Sequence, residues 1–200
     1  RGRMSNAQFG RVSARTSDEF LRADWRARLV ELLGYKPRRI SSLAESVLYG
    51  ALDCVTQVAD FDVNDLSVIR LTSVRGPYTA SIKVMQSSEN ELPMPFTFLQ
   101  SQISQALVAL VSQLKWQGDA SILMTSNPVE FARMALIQSQ HGVVLLGGSE
   151  EIHEASTPLD NYWFYLTPCA APVGLVFTPM VDLHAKVEYW KLDVNGLSGA

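Results

Sequence analysis

Ala120-Ser121-Ile122-Leu123-Met124, then Thr125-Ser126-Asn127-Pro128-Val129-Glu130, and further on Val143-Val144-Leu145-Leu146, decide the fold class. The first and last runs read as buried strands and residues 128–140 between them as a helix. Nearly continuous apolar strands joined through a helix are what a parallel pair covered on both faces requires, so the stretch predicts an α/β sheet. The helix start is strongly written: Asn127 is a good N-cap, Pro128 suits the first helical position, and Glu130 stands three beyond the cap. Residue 126 or 127 then meets the positive end of a helix. Unsatisfied backbone N–H groups point there, which makes it a favoured seat for a nucleophile or an oxyanion.

Working back toward the N-terminus, Phe98, Ile103, Ala106, Leu107, Leu110, Val111 and Leu114 form the apolar stripe of a long helix over 97–116, entered through Pro93 and Pro95. Periodicity leaves 79–86 open between extended and helical. Val68, Ile69 and Leu71 read as a buried strand over 66–73, stopped at Gly76-Pro77. Ser42 and Glu45 read as a capping box for a helix whose face carries Leu43, Val47, Leu48, Ala51, Leu52, Val55 and Val58. A first helix over 18–33 ends at Gly34, and residues 1–17, rich in Arg, Ser and Gly, read as a flexible leader before a single domain over 18–200. Toward the C-terminus, 149–170 reads as loop, with strands over 172–178 and 183–192. The chain opens at Arg1 with Met4 close behind, and residues 1–6 are given no functional weight.

Composition narrows the function classes. Two hundred residues at 47% apolar and 18% charged content can bury one core. Cys54 and Cys169 lie far apart with no second ligand at metal spacing, so neither a zinc site nor a disulfide framework is expected, and no cofactor is predicted. With no eighteen-residue apolar run and no secretion pattern, a soluble protein of the reducing cytoplasm is the default reading. The net charge of −3 divides into about +6 over residues 1–39 and about −9 beyond, a basic segment on an acidic body that suits an acidic partner surface or a solvated face. Nothing points to nucleic acid.

Several groups invite chemistry and have plainer readings. Ser126 as a nucleophile needs a base and an oxyanion site, but its neighbours are not the Gly-x-Ser-x-Gly of a nucleophile elbow, and sequence alone places none of His141, His153 and His184 beside it. A structural cap is the favoured reading. Gly147-Gly148 followed by Glu150-Glu151 lacks any phosphate-loop pattern and reads as a tight turn. His141 suits a helix C-terminus, Glu150, Glu151 and Glu154 a solvated acidic loop, and Asp160 with Tyr162-Trp163-Phe164-Tyr165 either a pocket lining or core. Cys54 reads as a small structural residue in its helix.

In this order the elements resemble the N-terminal half of the β-ketoacyl synthases, within the thiolase-like superfamily, and especially a short family of synthase-like N-terminal domains found beside fatty-acid, polyketide and aryl-polyene pathways. The resemblance runs from about residue 37 to 178. It rests on Arg38-Arg39-Ile40-Ser41, on Arg75-Gly76, on Pro95-Phe96-Thr97-Phe98 through Leu114, on the turn Lys115-Trp116-Gln117-Gly118-Asp119, and on Val143 through Gly147-Gly148-Ser149-Glu150. It implies a thiolase-like half domain: a mixed sheet of about five strands with helices on both faces. Where the synthases carry Thr-Ala-Cys-x-Ser, this chain has Thr125-Ser126-Asn127-Pro128-Val129. The nucleophile's place is taken by Ser126 or Asn127, and the synthases' second half, with its two catalytic histidines, is not in this sequence. The resemblance therefore implies no catalytic residue, and binding contributions from Ser126, Asn127 and Phe98. The expected role is a non-catalytic binding or scaffold subunit in type II fatty-acid, polyketide or aryl-polyene biosynthesis. Its expected partner is an acyl carrier protein or a full-length ketoacyl synthase, in a homodimer or heterodimer. Two alternatives stand beside it: an acyltransferase or thioesterase-like enzyme using Ser126, and an interaction domain unrelated to acyl chemistry.

Overall fold

A computed structural model describes residues 8–18, 22–89, 95–125, 127, 130, 133, 142–151, 160–170, 173, 174, 176, 182–184, 186–193 and 196–199. In chain order they form β1 (Gln8–Asp18), α1 (Trp25–Leu33), α2 (Ser42–Thr56), a 3-10 turn (Val63–Asp65), β2 (Leu66–Ser73), α3 (Tyr78–Ser88), α4 (Pro95–Gln100), α5 (Ser104–Leu114), β3 (Asp119–Met124), β4 (Val143–Glu150), β5 (Asp160–Pro168), β6 (Tyr189–Asp193) and β7 (Gly196–Gly199).

The seven strands make one mixed sheet in the order β3-β2-β4-β5-β1-β6-β7. β2 pairs in parallel with both β3 and β4, so the two strands of the deciding stretch are not direct partners: β2 lies between them. β5 runs antiparallel to β4 and to β1, which leaves β1 pointing the same way as β2, β3 and β4. The hairpin β6–β7 extends the expected five-strand sheet beyond β1.

Period-two alternation sends each strand's side chains to opposite faces, and both faces of the central strands are buried. Ile69, Leu71, Leu145, Trp163, Tyr165 and Ala14 face α2, which packs against β1, β4 and β5 and is flanked by α1 and α5. Val68, Val144, Leu146, Phe164, Leu166 and Trp190 form a second cluster on the opposite face. Full burial of a side chain such as Leu146 or Phe164 is worth about 1.5–3 kcal/mol, so the two clusters hold the sheet from both sides. The helix expected over 128–140 lies outside the described residues except for Glu130 and Arg133, both helical.

α2 begins one residue earlier than its sequence suggests. Ser41, not Ser42, is the N-cap, and its hydroxyl accepts the Ala44 N–H at 3.1 Å. Glu45 instead pairs with Arg26 on α1. Gly34 closes α1 with φ 75°, as its position predicts. The helix expected over 97–116 is two helices, because the chain tightens over Ser101–Ile103, where the Gln102 N–H reaches Leu99 O and the Gln105 N–H reaches Gln102 O. The open segment 79–86 is helical, as α3.

Three further expectations need correction. Residues 8–17 are not leader but most of β1, paired on both sides. Their small residues Gly10, Ala14 and Thr16 are buried while Arg11 and Ser13 are exposed, so the strand packs largely through small residues, with Val12 added on the opposite face, and its composition mimics disorder. Residues 160–168 are not loop but β5, with six consecutive buried residues shared between the two faces. Of the strand expected over 183–192, residues 189–192 belong to β6, while 183, 184 and 186–188 are turn and coil; of that over 172–178, the described residues 173, 174 and 176 are not extended.

Candidate functional site at the carboxyl ends of the parallel strands

In open α/β sheets, ligand sites gather outside the carboxyl ends of the parallel strands. Here those ends belong to β2, β3 and β4, and each is locked by side chains. At the end of β3 the Thr125 N–H donates to Ser73 O at 3.0 Å, extending the ladder by one residue. Thr125 Oγ1 then accepts the Asn127 N–H at 3.0 Å, and Asn127 Oδ1 accepts the Glu130 N–H at 3.2 Å. Asn127 is thus the cap that its position predicts, exposed and committed to the helix start. Glu130 also pairs with Arg133. Ser126 lies outside the described residues.

The end of β2 is built by residues that their sequence context concealed. The Val74 and Arg75 N–H groups both donate to the Glu150 carboxylate, the second at 3.2 Å. Ser73 Oγ accepts the Gly76 N–H at 2.9 Å, and Gly76 turns at φ 64° beside Met124 and Ile103. Glu151, buried to 2% exposure, accepts the Thr79 N–H at the start of α3, a helix whose Pro77 cap supplies no side-chain acceptor. Neither Glu150 nor Glu151 belongs to a solvated acidic loop; Glu154 lies outside the described residues. Burial raises the Glu150 carboxyl above its ordinary range, against the lowering pull of the two N–H donors. The signal that could have found the pair is their position: acids at the end of a central parallel strand face the N–H groups of the neighbouring loop.

Gly147-Gly148 is not a turn but part of β4. A Cβ on Gly147 would overlap the Trp163 indole, and one on Gly148 the Tyr162 ring and hydroxyl. Gly50 on α2 meets the same indole, so three glycines clear space for two aromatic residues of β5. The aromatic run expected as pocket lining or core is therefore core. Beside it Ser46 and Ser149 share a buried hydrogen bond of 2.6 Å, and Asn161 Nδ2 donates to Ser46 O, pinning α2 to the sheet end.

Phe98 stands on α4 with about half its side chain exposed, next to Phe96 and Leu99 in the same state; Val74 and Met124 add exposed apolar surface at the strand ends. No hydrogen bond or ring contact links Phe98 to Asn127 among the described residues. Three arginines of the basic segment meet acids: Arg22 pairs with Asp24, Arg26 with Glu45, and Arg28 with Glu31. Arg39 lies over the Phe96 ring at 4.8 Å. Cys54 is fully buried and burial pushes its thiol far up, which fits a structural residue. Among the described residues no group of His, Cys, Asp and Glu could hold a metal ion, and no helix is long and apolar enough to cross a membrane.

No family model matches the chain, and no curated protein does. Solved structures do. One is a ketosynthase (ApeO) in complex with its chain length factor (ApeC) from Xenorhabdus doucetiae: TM-score 0.52, 16% identity, 88% of this chain and 83% of that one covered. A second is the ishigamide ketosynthase/chain length factor, with TM-score 0.52, 12% identity and coverage of 82% and 61%. A third is a type II polyketide synthase acyl-carrier protein in complex with its ketosynthase bound to the hexaketide (AntDE:AntF), with TM-score 0.59, 10% identity and coverage of 80% and 62%. The chain spans less than two thirds of the second and third. At these identities the likeness concerns the fold, and the mixed sheet with its helices is the half domain that the thiolase-like resemblance implies.

Proposed function

We propose that the chain is a non-condensing ketosynthase-like subunit that docks beside a ketosynthase or an acyl carrier protein in a type II fatty-acid, polyketide or aryl-polyene system. The observation that carries this reading is the turn after β3. It has the sequence Thr125-Ser126-Asn127, with Asn127 spent on capping the next helix, and offers no thiol. Both thiols stand elsewhere: Cys54 is sealed in α2 and Cys169 follows β5. A Claisen condensation needs a nucleophile that holds the acyl chain as a thioester, and neither cysteine occupies the strand-to-helix turn where a helix N-terminus would favour a thiolate. The neighbours support the partnership, since two are ketosynthases solved with chain length factors and one is a ketosynthase with its acyl-carrier protein.

On this reading the docking face is the exposed apolar surface of α4 and the strand ends, bordered by Arg39, which lies over the Phe96 ring, and by the exposed Arg75 next to Val74. The test is incubation with acyl carrier proteins loaded with short and long chains, and separately with a ketosynthase, reading intact mass and co-elution. Co-elution at unchanged mass is the expected result. A gain of one acyl group mapped to Ser126 would instead establish the acyltransferase or thioesterase alternative, and neither co-elution nor mass gain would leave an interaction domain unrelated to acyl chemistry.

A further inference from the structure

We propose that Ser17, His184 and Asp160 form a hydrolytic site for acyl esters and thioesters, separate from the turn after β3 and independent of the reading above. Three remote segments meet here: the carboxyl end of β1, the first residue of β5, and the turn at 182–184. Ser17 Oγ lies 2.9 Å from His184 Nδ1, and His184 Nε2 lies 3.3 Å from Asp160 Oδ1, a distance for an ion pair though not aligned as a hydrogen bond. The serine hydroxyl also approaches Leu183 O at 3.3 Å, so the imidazole is its nearer acceptor.

His184 is held through both backbone and ring. The backbone N–H of His184 donates to Asp182 Oδ1 at 2.9 Å and its backbone carbonyl accepts from the Arg15 guanidinium at 3.0 Å, which fix the residue's place, while the ring itself stands edge-on to Tyr162. With the proton on Nε2 facing Asp160, the Nδ1 lone pair faces Ser17, the tautomer a general base requires. Of the three groups only Ser17 lines the large cleft along β1, about 940 Å³, whose walls include Arg15, Arg22, Arg28, Asp53 and Lys186. Ser17 thus borders the space where a substrate would lie, while His184 and Asp160 do not line it. The polar walls suit a hydrophilic acyl compound rather than a long hydrocarbon chain. Because β1 runs parallel to β4, Ser17 also stands at the end of the sheet where ligands gather.

The reaction follows from these positions. Ser17 Oγ bonds to the substrate carbonyl carbon as its proton passes to His184 Nδ1. Arg15, two residues along the same face of β1, supplies positive charge for the oxygen that becomes negative. The carbon–sulfur or carbon–oxygen bond then breaks, and the leaving thiol or alcohol takes the proton from His184. Water attacks the resulting Ser17 ester and gives a proton to His184, and the bond to Oγ breaks as that proton returns to Ser17. The products are a carboxylic acid and a thiol or alcohol. Asp160 acts through His184 as a positioning residue.

The test treats the full chain with a fluorophosphonate, which phosphonylates an activated serine, and reads intact mass and the labelled peptide; p-nitrophenyl butyrate hydrolysis is followed in parallel. The expected result is one adduct, on Ser17, absent in Ser17→Ala and reduced by ~100-fold or more in rate in His184→Gln. Asp160→Asn slows labelling and Asp160→Glu restores most of it, a rescue that a purely structural contact would not produce. Thermal unfolding of each variant separates lost chemistry from lost fold, and the labelled residue in the unaltered protein decides the matter without any variant. No adduct, an adduct on another residue, or labelling that survives His184→Gln overturns the proposal.

Discussion

Trp163 packs against two glycines, one on the neighbouring strand and one on the helix above. Adding a methyl at either forces the indole or the backbone to move, and the interior has no slack to absorb it. Gly147→Ala and Gly50→Ala are expected to lower stability by about 1–3 kcal/mol each in urea unfolding. At Gly50 this opposes the gain of about 1 kcal/mol that alanine normally brings inside a helix, so a stabilised Gly50→Ala would show that α2 does not approach β5 so closely. Asn127 makes a contrasting case, since its side chain is exposed and committed to one N–H of Glu130. Asn127→Ala should lose about 1 kcal/mol and Asn127→Asp should keep it. Equal losses in both would remove the cap from the account.

Glu150 belongs to the scale of elements, because it joins the end of β4 to the loop after β2. Its carboxyl is raised by burial, so the protonated form is favoured in the fold relative to the unfolded chain. The stability it contributes is fully present below the ordinary carboxylate value and is lost as pH rises through the raised one. Urea midpoints between pH 4 and pH 7 should therefore carry a falling component that Glu150→Gln abolishes; an identical slope in both proteins would mean the group titrates as if in water. Much at this scale was legible in the sequence. The boundaries of β2, the start of β4 and the Gly34 stop follow from apolar runs and turn residues alone. β1 and β5 were hidden for opposite reasons. β1 gains its place from ladders on both sides and from small residues lying under α2, which no local pattern records. β5 buries both faces, so its aromatic run lacks the alternation that marks a half-exposed strand. The cap at Asn127 was legible because it is local, whereas the Glu150 and Glu151 contacts join residues more than seventy positions apart.

For the whole molecule, part of the uneven charge of the sequence is met locally in the fold, since Arg22, Arg26 and Arg28 pair with acids. Exposed pairs of this kind add little stability, about 0–1 kcal/mol each, but they cancel charge locally. If an acidic carrier protein docks beside α4, Arg39 over the Phe96 ring and Arg75 at the end of β2 are cations placed to steer it. The double substitution Arg39→Glu and Arg75→Glu should then slow association several-fold at low salt, with the difference shrinking at high salt. Equal rates at all salt concentrations would move the contact elsewhere. The path of β1 through the sheet also sets an order in time. Its Ser13 meets Thr167 across 154 positions, and its other neighbour, β6, is made later still. During synthesis β2 and β3 can pair soon after they emerge, while β1 must wait for β5 and β6, made much later in the chain. Such distant closures are slow to find, so the interval between translation and completion of the sheet is when this chain is most exposed to aggregation and to chaperones.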